Sequence, residues 1–206
     1  MNDMRPSSLA AWLTSLLIAG CASMDRPAAR FAGEPFDLKQ QSGRITGQVC
    51  GMDLNLDVQQ RSDGVELTGF LDGSFPVHLA ARQTGASRTI SGGLGTRAGD
   101  AAVDLRLDAQ ALDGRVGFRS FQLRAQGDAL AGSMQIAGAI EPSEAVVEGR
   151  ARLETMPLET QAALVPALLT CNVQRVGRWG RSSLMVRVGG PAGALPHQSS
   201  SVYTRD

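Results

Sequence analysis

Met52-Asp53-Leu54-Asn55-Leu56-Asp57-Val58-Gln59 alternates apolar and polar side chains without a break. On an extended chain Met52, Leu54, Leu56 and Val58 point one way and Asp53, Asn55, Asp57 and Gln59 the other, the pattern of a strand with one buried and one wet face. Ala101, Val103, Leu105, Leu107 and Ala109 repeat it against Asp104, Arg106 and Asp108. Looser runs do the same from Ile45 to Val49, Val65 to Leu71, Phe75 to Ala81, Arg88 to Leu94, Leu130 to Ile136 and Val147 to Leu153. Burial on one face only is the habit of antiparallel sheets.

Turn signals separate these runs at Asp63-Gly64, Asp72-Gly73, Gly99-Asp100, Asp113-Gly114 and Gly127-Asp128, so hairpin follows hairpin. The inward set changes parity at Cys50-Gly51 and again between Phe118 and Phe121. That predicts a tight turn at the first and a bulge or bend at the second. A tripeptide ending in glycine recurs as ITG (45–47), LTG (67–69), ISG (90–92), LAG (130–132), IAG (136–138) and VEG (147–149). The first three are one hairpin's length apart, a quasi-repeat too irregular for a solenoid.

After Glu154 the period changes. PLETQAALVPALLTC (157–171) puts Leu158, Ala162, Val165 and Leu169 on one helical stripe, with proline at a favoured first position and glutamate in the first turn. Pro166 should kink it. Val173 to Trp179 and Ser183 to Val188 read as a last hairpin, and the Gly, Pro and Ser-rich tail 189–206 as disordered. The expected fold is therefore all-β: one antiparallel meander of about eight to ten strands, as barrel, half-barrel or sandwich, with one short kinked helix near residues 157–171. In a curled sheet the helix would plug the apolar mouth.

The 206 residues suit one domain, here expected over residues 43–188. Twenty basic and 20 acidic groups cancel, which argues against a nucleic-acid binder. All the basic residues but Lys39 are arginine, so an isolated arginine says little about phosphate recognition. The cancellation hides an asymmetry: residues 160–205 hold five arginines and no acid.

The N-terminus carries an address. A polar start with Arg5 precedes a mostly apolar stretch from Leu9 to Ala19, too short to span a bilayer, and then Ile18-Ala19-Gly20-Cys21. This aliphatic-small-small-Cys tetrapeptide resembles the lipobox of bacterial lipoproteins. The resemblance covers about 25 residues and implies a signal peptide over residues 1–20, cleavage before Cys21 and two or three acyl chains on that residue, enough for stable anchorage. Ala22-Ser23 in place of an Asp after the cysteine points to the outer membrane, with the periplasmic or surface face left open. Residues 21–42 show no sustained period and read as a lipidated tether with a coil span of roughly 25 Å. Phe31 and Phe36 could dock on the domain, but a plain linker is the simpler expectation.

With Cys21 taken by lipid, Cys50 and Cys171 form a candidate disulfide in an oxidising compartment. The bridge would close a loop of about 120 residues, worth roughly 5 kcal/mol in the chain-entropy account. Two separate buried thiols are the alternative.

Other motifs carry less. Gly93-Leu94-Gly95-Thr96-Arg97-Ala98 matches a dinucleotide fingerprint, but an alternating strand follows where a helix is needed, so it reads as a loop. Asp53-Leu54-Asn55-Leu56-Asp57 starts like a calcium loop, yet Val58 and Gly64 stand where glycine and glutamate belong, so no metal site is expected. His78 and His197 are the only histidines, and no nucleophile elbow, metal-binding histidine pair or S-x-x-K pattern appears. Arg175, Arg178 and Arg181 flank Trp179, a combination that suits an anionic lipid or glycan surface. It equally suits a hairpin tip whose arginines pair with acids of the sheet.

The functional expectation is a non-enzymatic envelope lipoprotein, a membrane-tethered structural or adaptor component with an envelope protein partner and no cofactor beyond the lipid on Cys21. The alternatives are a lipid or lipoprotein carrier with an apolar cavity between sheet and helix, and a hydrolase without a recognisable motif.

Overall fold

The structure, a computed structural model, describes residues 29–33, 36–97, 99–171, 174–175 and 182–188. Twelve consecutive antiparallel strands form a meander: β1 (Ala29–Gly33), β2 (Phe36–Gln41), β3 (Arg44–Val49), β4 (Met52–Arg61), β5 (Gly64–Leu71), β6 (Phe75–Thr84), β7 (Ser87–Thr96), β8 (Gly99–Leu107), β9 (Ala111–Val116), β10 (Arg119–Gln126), β11 (Ala129–Ile136) and β12 (Ser143–Glu148). Then come α1 (Arg150–Thr155), α2 (Leu158–Cys171), β13 (Gln174–Arg175) and β14 (Ser182–Arg187). β14 pairs parallel to β12 and antiparallel to β13, completing a 14-stranded sheet with β1 at one edge and β13 at the other.

The sheet is open, so the meander stands while closed barrel and two-sheet sandwich do not. It has more strands than the eight to ten expected, partly because the supposed tether joins it. Residues 29–33 and 36–41 pair as β1 and β2, and Phe36 and Leu38 enter the core. The folded unit thus begins by residue 29, before the expected boundary at 43. Two polar glutamines and a lysine in β2 had masked its short Phe36-x-Leu38 alternation.

Hairpin turns alternate between two ends. The lower end carries turns at 42–43, 62–63, 85–86, 108–110 and 127–128, and Ala29 of β1 lies there, opposite Gln40. The upper end carries 50–51, 72–74, 117–118 and the loop 137–142. Ser42-Gly43, Cys50-Gly51 and Asp72-Gly73 have positive φ at both residues, the tight hairpin geometry that matches strand twist. Asp113-Gly114 is no turn but lies within β9, and the Phe118 parity change is a hairpin turn rather than a bulge. Gly93 to Thr96, expected in a loop, belong to β7. Val147 to Leu153 is strand only to Glu148; Gly149, at φ 82°, then turns the chain into α1, whose first turn is capped by Asp128 Oδ1 accepting the Ala151 N–H at 2.8 Å.

The helix α2 matches the expected span and contains Pro166, but it is no surface helix. Every residue from Thr160 to Leu169 is buried, including Ala163, Leu164 and Ala167 on the back of the expected stripe. The sheet curls around it, so that α2 touches β3, β5, β6, β7, β9 and β14. A helix apolar on all sides belongs inside a core. Thr160 Oγ1 donates to Gln40 Oε1 at 3.0 Å, and buried Gln161 Nε2 donates to the carbonyls of Leu153 and Met156 at 2.6 and 3.0 Å, while Gln161 Oε1 is buried without a partner.

The curl has a visible cause. Gly47, Gly69, Gly92, Gly114 and Gly132 sit near the middle of alternate strands on the concave side, where the neighbouring strands present Leu38, Leu56, Leu79, Leu105 and Leu123. At Gly92 φ is 136°, and an added Cβ would lie 2.1 Å from the carbonyl oxygen of His78 on β6. The other four allow equally close approach, 2.0 to 2.2 Å. A line of glycines across a sheet lets it fold sharply about that line. The recurrent glycine tripeptides at 45–47, 67–69, 90–92 and 130–132 are thus the crease of the sheet.

The convex face is polar and laced by cross-strand pairs. Arg44 meets Asp57 at 2.9 Å, Arg82 meets Asp63 at 2.8 Å, Arg124 meets Asp113 at 2.6 Å, and Arg30 pairs with Asp37 and Arg61 with Glu66. Hydrogen bonds from the arginines hold the Asp37 and Glu66 carboxyls below the usual carboxylate range. Being exposed, such rungs fix register more than they add stability.

Candidate functional site

The upper end holds a cleft of about 470 Å³, built where four hairpin ends and the C-terminus of α2 meet. Its walls are apolar: Met52 after the β3–β4 turn, Leu71 and Phe75 around the β5–β6 turn, Ala101 of β8 and Val116 of β9. Alternation makes these contributions inevitable. Each hairpin presents its last inward residue at the rim, and α2 ends before it fills that level. Thr170 of α2, Gly51 and Gly117 also line it.

Two guanidinium groups face this cleft. Arg97, at the β7–β8 turn, reaches Asp72 at 3.4 Å and is 81 % exposed. Arg119, at the start of β10, donates from Nη1 to the carbonyl oxygens of Leu169 and Thr170, both at 2.8 Å. It thereby satisfies the open carbonyls of the α2 C-terminus, where the helix dipole favours a cation. Its guanidinium also lies 5.1 Å from the ring centroid of Phe118. Burial pushes the Arg119 pKa down, and its Nε is buried without a hydrogen-bond partner. We expect Arg119→Ala to destabilise the fold by about 1–2 kcal/mol through the lost helix cap, with Arg119→Lys restoring part of it, as read by urea midpoints.

Large exposed apolar side chains also stand at this end among the described residues. Phe118 is in the β9–β10 turn, Ile140 in the β11–β12 loop and Phe70 one residue from the end of β5. Sequence patterning missed all three, along with Arg97 and Arg119. The only signal was the parity change at Phe118.

Of the residues singled out in the sequence, Cys50 forms the first position of an upper-end turn with φ 54° and lines the cleft. Cys171 ends α2, but its side chain lies outside the described residues, as do Cys21, Arg178, Trp179, Arg181 and His197. Arg175 is described only as backbone, in β13. His78 stands on the convex face, 3.4 Å from Glu66. Asp53, Asn55 and Asp57 are also exposed there, with Asp53 accepting from Gln48 at 3.0 Å and Asp57 taken by Arg44. Among the described residues no group of His, Cys, Asp and Glu side chains converges as a metal site.

No protein-family model, curated protein or solved structure matches the chain.

Proposed function

We propose that the protein is a non-enzymatic lipoprotein of the bacterial outer membrane, anchored through acyl chains on Cys21, that presents the upper end of its sheet to an envelope protein. The observation that carries this reading is that the large apolar side chains exposed among the described residues, Phe70, Phe118 and Ile140, all stand in or beside upper-end turns. Exposed apolar side chains concentrated in one region mark interaction surfaces. The orientation agrees. Cys21 stands eight residues before Ala29, which lies at the lower end, so the anchor holds that end within about 27 Å of the bilayer and leaves the upper end free.

The interior favours an adaptor over a carrier that stores lipid between sheet and helix. The gap between α2 and its neighbours Leu112, Val147 and Leu153 is about 10 Å³. A carrier of that kind would have to expel α2. The bridge partner of Cys50 is, in this reading, Cys171: Cys50 and Thr170 line the same cleft, and the lipid occupies the remaining cysteine. It would staple α2 to the first hairpins. Arg175, Arg178 and Arg181 around Trp179 follow α2 in the sequence, and in this reading they add positive charge for a partner or an anionic lipid or glycan.

The test is photocrosslinking in intact envelopes. A photoreactive residue at Phe118 is expected to capture a discrete protein, and one at Thr89, exposed on the convex face towards the lower end of β7, is not. Equal capture at both positions overturns the upper end as the contact surface. Metabolic acyl label is expected on the parent chain and absent from Cys21→Ser; label retained by the variant overturns the anchor.

A further inference from the structure

We propose that the upper-end cleft is a binding site for a fatty acid, a single unbranched acyl chain ending in a carboxylate, with the chain along the apolar wall and the carboxylate held by Arg97 and Arg119. This does not rest on the adaptor reading: the two share only Phe118, which lines the cleft, and the acyl site is argued from the apolar wall and the two arginines. Its volume of about 470 Å³ lies within the roughly 300–1,000 Å³ of small-molecule sites, and its walls are the aliphatic, thioether and aromatic side chains of Met52, Leu71, Phe75 and Val116. Methionine suits a flexible chain because it adapts its shape.

Charge complementarity selects the head group. Arg119 places a half-buried cation beside an apolar wall; its bonds go to neutral carbonyls, and no carboxylate answers it among the described residues. Arg97 has only the longer contact to Asp72. A guanidinium fork matches a carboxylate in shape as well as charge. Asp72 is the one acid in the lining among the described residues, and it opposes a bound anion. That makes it a sharp probe, because removing its charge should tighten an acid and leave a neutral chain untouched.

The experiment uses the full chain bearing Cys21→Ser, purified without detergent, and titrates dodecanoate, dodecanol and dodecyltrimethylammonium, each below its micelle concentration. Dodecanoate is expected to bind one per chain and at least about tenfold more tightly than the cationic amphiphile. Asp72→Asn should tighten dodecanoate several-fold, Arg97→Glu should weaken it about tenfold, and neither should move dodecanol. A dodecanoate carrying a diazirine near its methyl end should label the peptides of Met52, Phe75 and Val116, which tests the site in the unsubstituted domain. Equal affinity for acid and cation, or labelling confined to the lower end or convex face, overturns the proposal. Inorganic phosphate should not compete, and competition by it would mean that a bare anion is the ligand.

Discussion

Replacing Gly92 by valine is expected to cost about 3 kcal/mol or more and to lower the urea midpoint of unfolding sharply, whereas replacing its neighbour Gly93 by alanine is expected to be neutral or mildly stabilising. The two glycines are adjacent in sequence and face opposite sides of β7. At Gly92 the backbone has φ 136°, which costs an L-residue about 1–3 kcal/mol by itself. The added Cβ, 2.1 Å from the His78 carbonyl oxygen, must also push β6 away and open the ladder against Leu79. At Gly93 an added Cβ meets nothing within 4 Å, so the entropy of the unfolded chain decides and favours alanine by a few tenths of a kcal/mol. Equal effects at both positions would refute the crease. Because Gly69 and Gly114 repeat the arrangement two strands away, their valine variants should behave as Gly92→Val does.

Leu164→Asp is expected to abolish cooperative folding, and Ala167→Glu to come close to it. Both residues lie on the back of α2, away from the stripe of Leu158, Ala162, Val165 and Leu169. If α2 lay on the sheet as a surface helix, back-face substitutions would change stability by no more than about 0.5 kcal/mol. Leu164 is fully buried, however, and truncation to alanine alone should cost about 2–5 kcal/mol. A carboxylate there adds the cost of burying a charge without a partner, and the total rivals the 5–15 kcal/mol of an ordinary domain. Circular dichroism and chemical denaturation of Leu164→Asp beside Val165→Asp provide the check. Near-native stability of the first with collapse of the second would place the helix on the outside of the sheet.

Different parts of this arrangement were legible to different degrees. The alternation at 52–59 and 101–107 gave strands with the correct inward face, because period two is a local property that burial on one side enforces. Asp72-Gly73 and Cys50-Gly51 gave true hairpin turns, because both need the positive φ that only certain residues tolerate. Asp113-Gly114 looked the same and is a crease residue inside β9. A glycine in sequence marks an unusual backbone without saying whether the chain reverses there or two strands approach. β2 was missed because two inward apolar residues are too few for a period.

The candidate site was hardly legible. Cys50 was noticed for its chemistry, while Met52, Phe75, Val116 and Arg119 come from separate hairpins and meet only when the sheet curls. The arginine cluster around Trp179 stands out in the sequence because its members are neighbours in the chain.

By itself, then, the sequence determined the antiparallel meander, most of its inward faces and the span of α2, since each is set by interactions between residues a few positions apart. The tertiary structure alone decided that the sheet stays open, that it wraps α2 on all sides and that its upper rim becomes an apolar cleft edged by two arginines. Those depend on small bends at glycines on alternate strands adding up across the sheet, a sum over residues far apart in the chain that no local pattern contains.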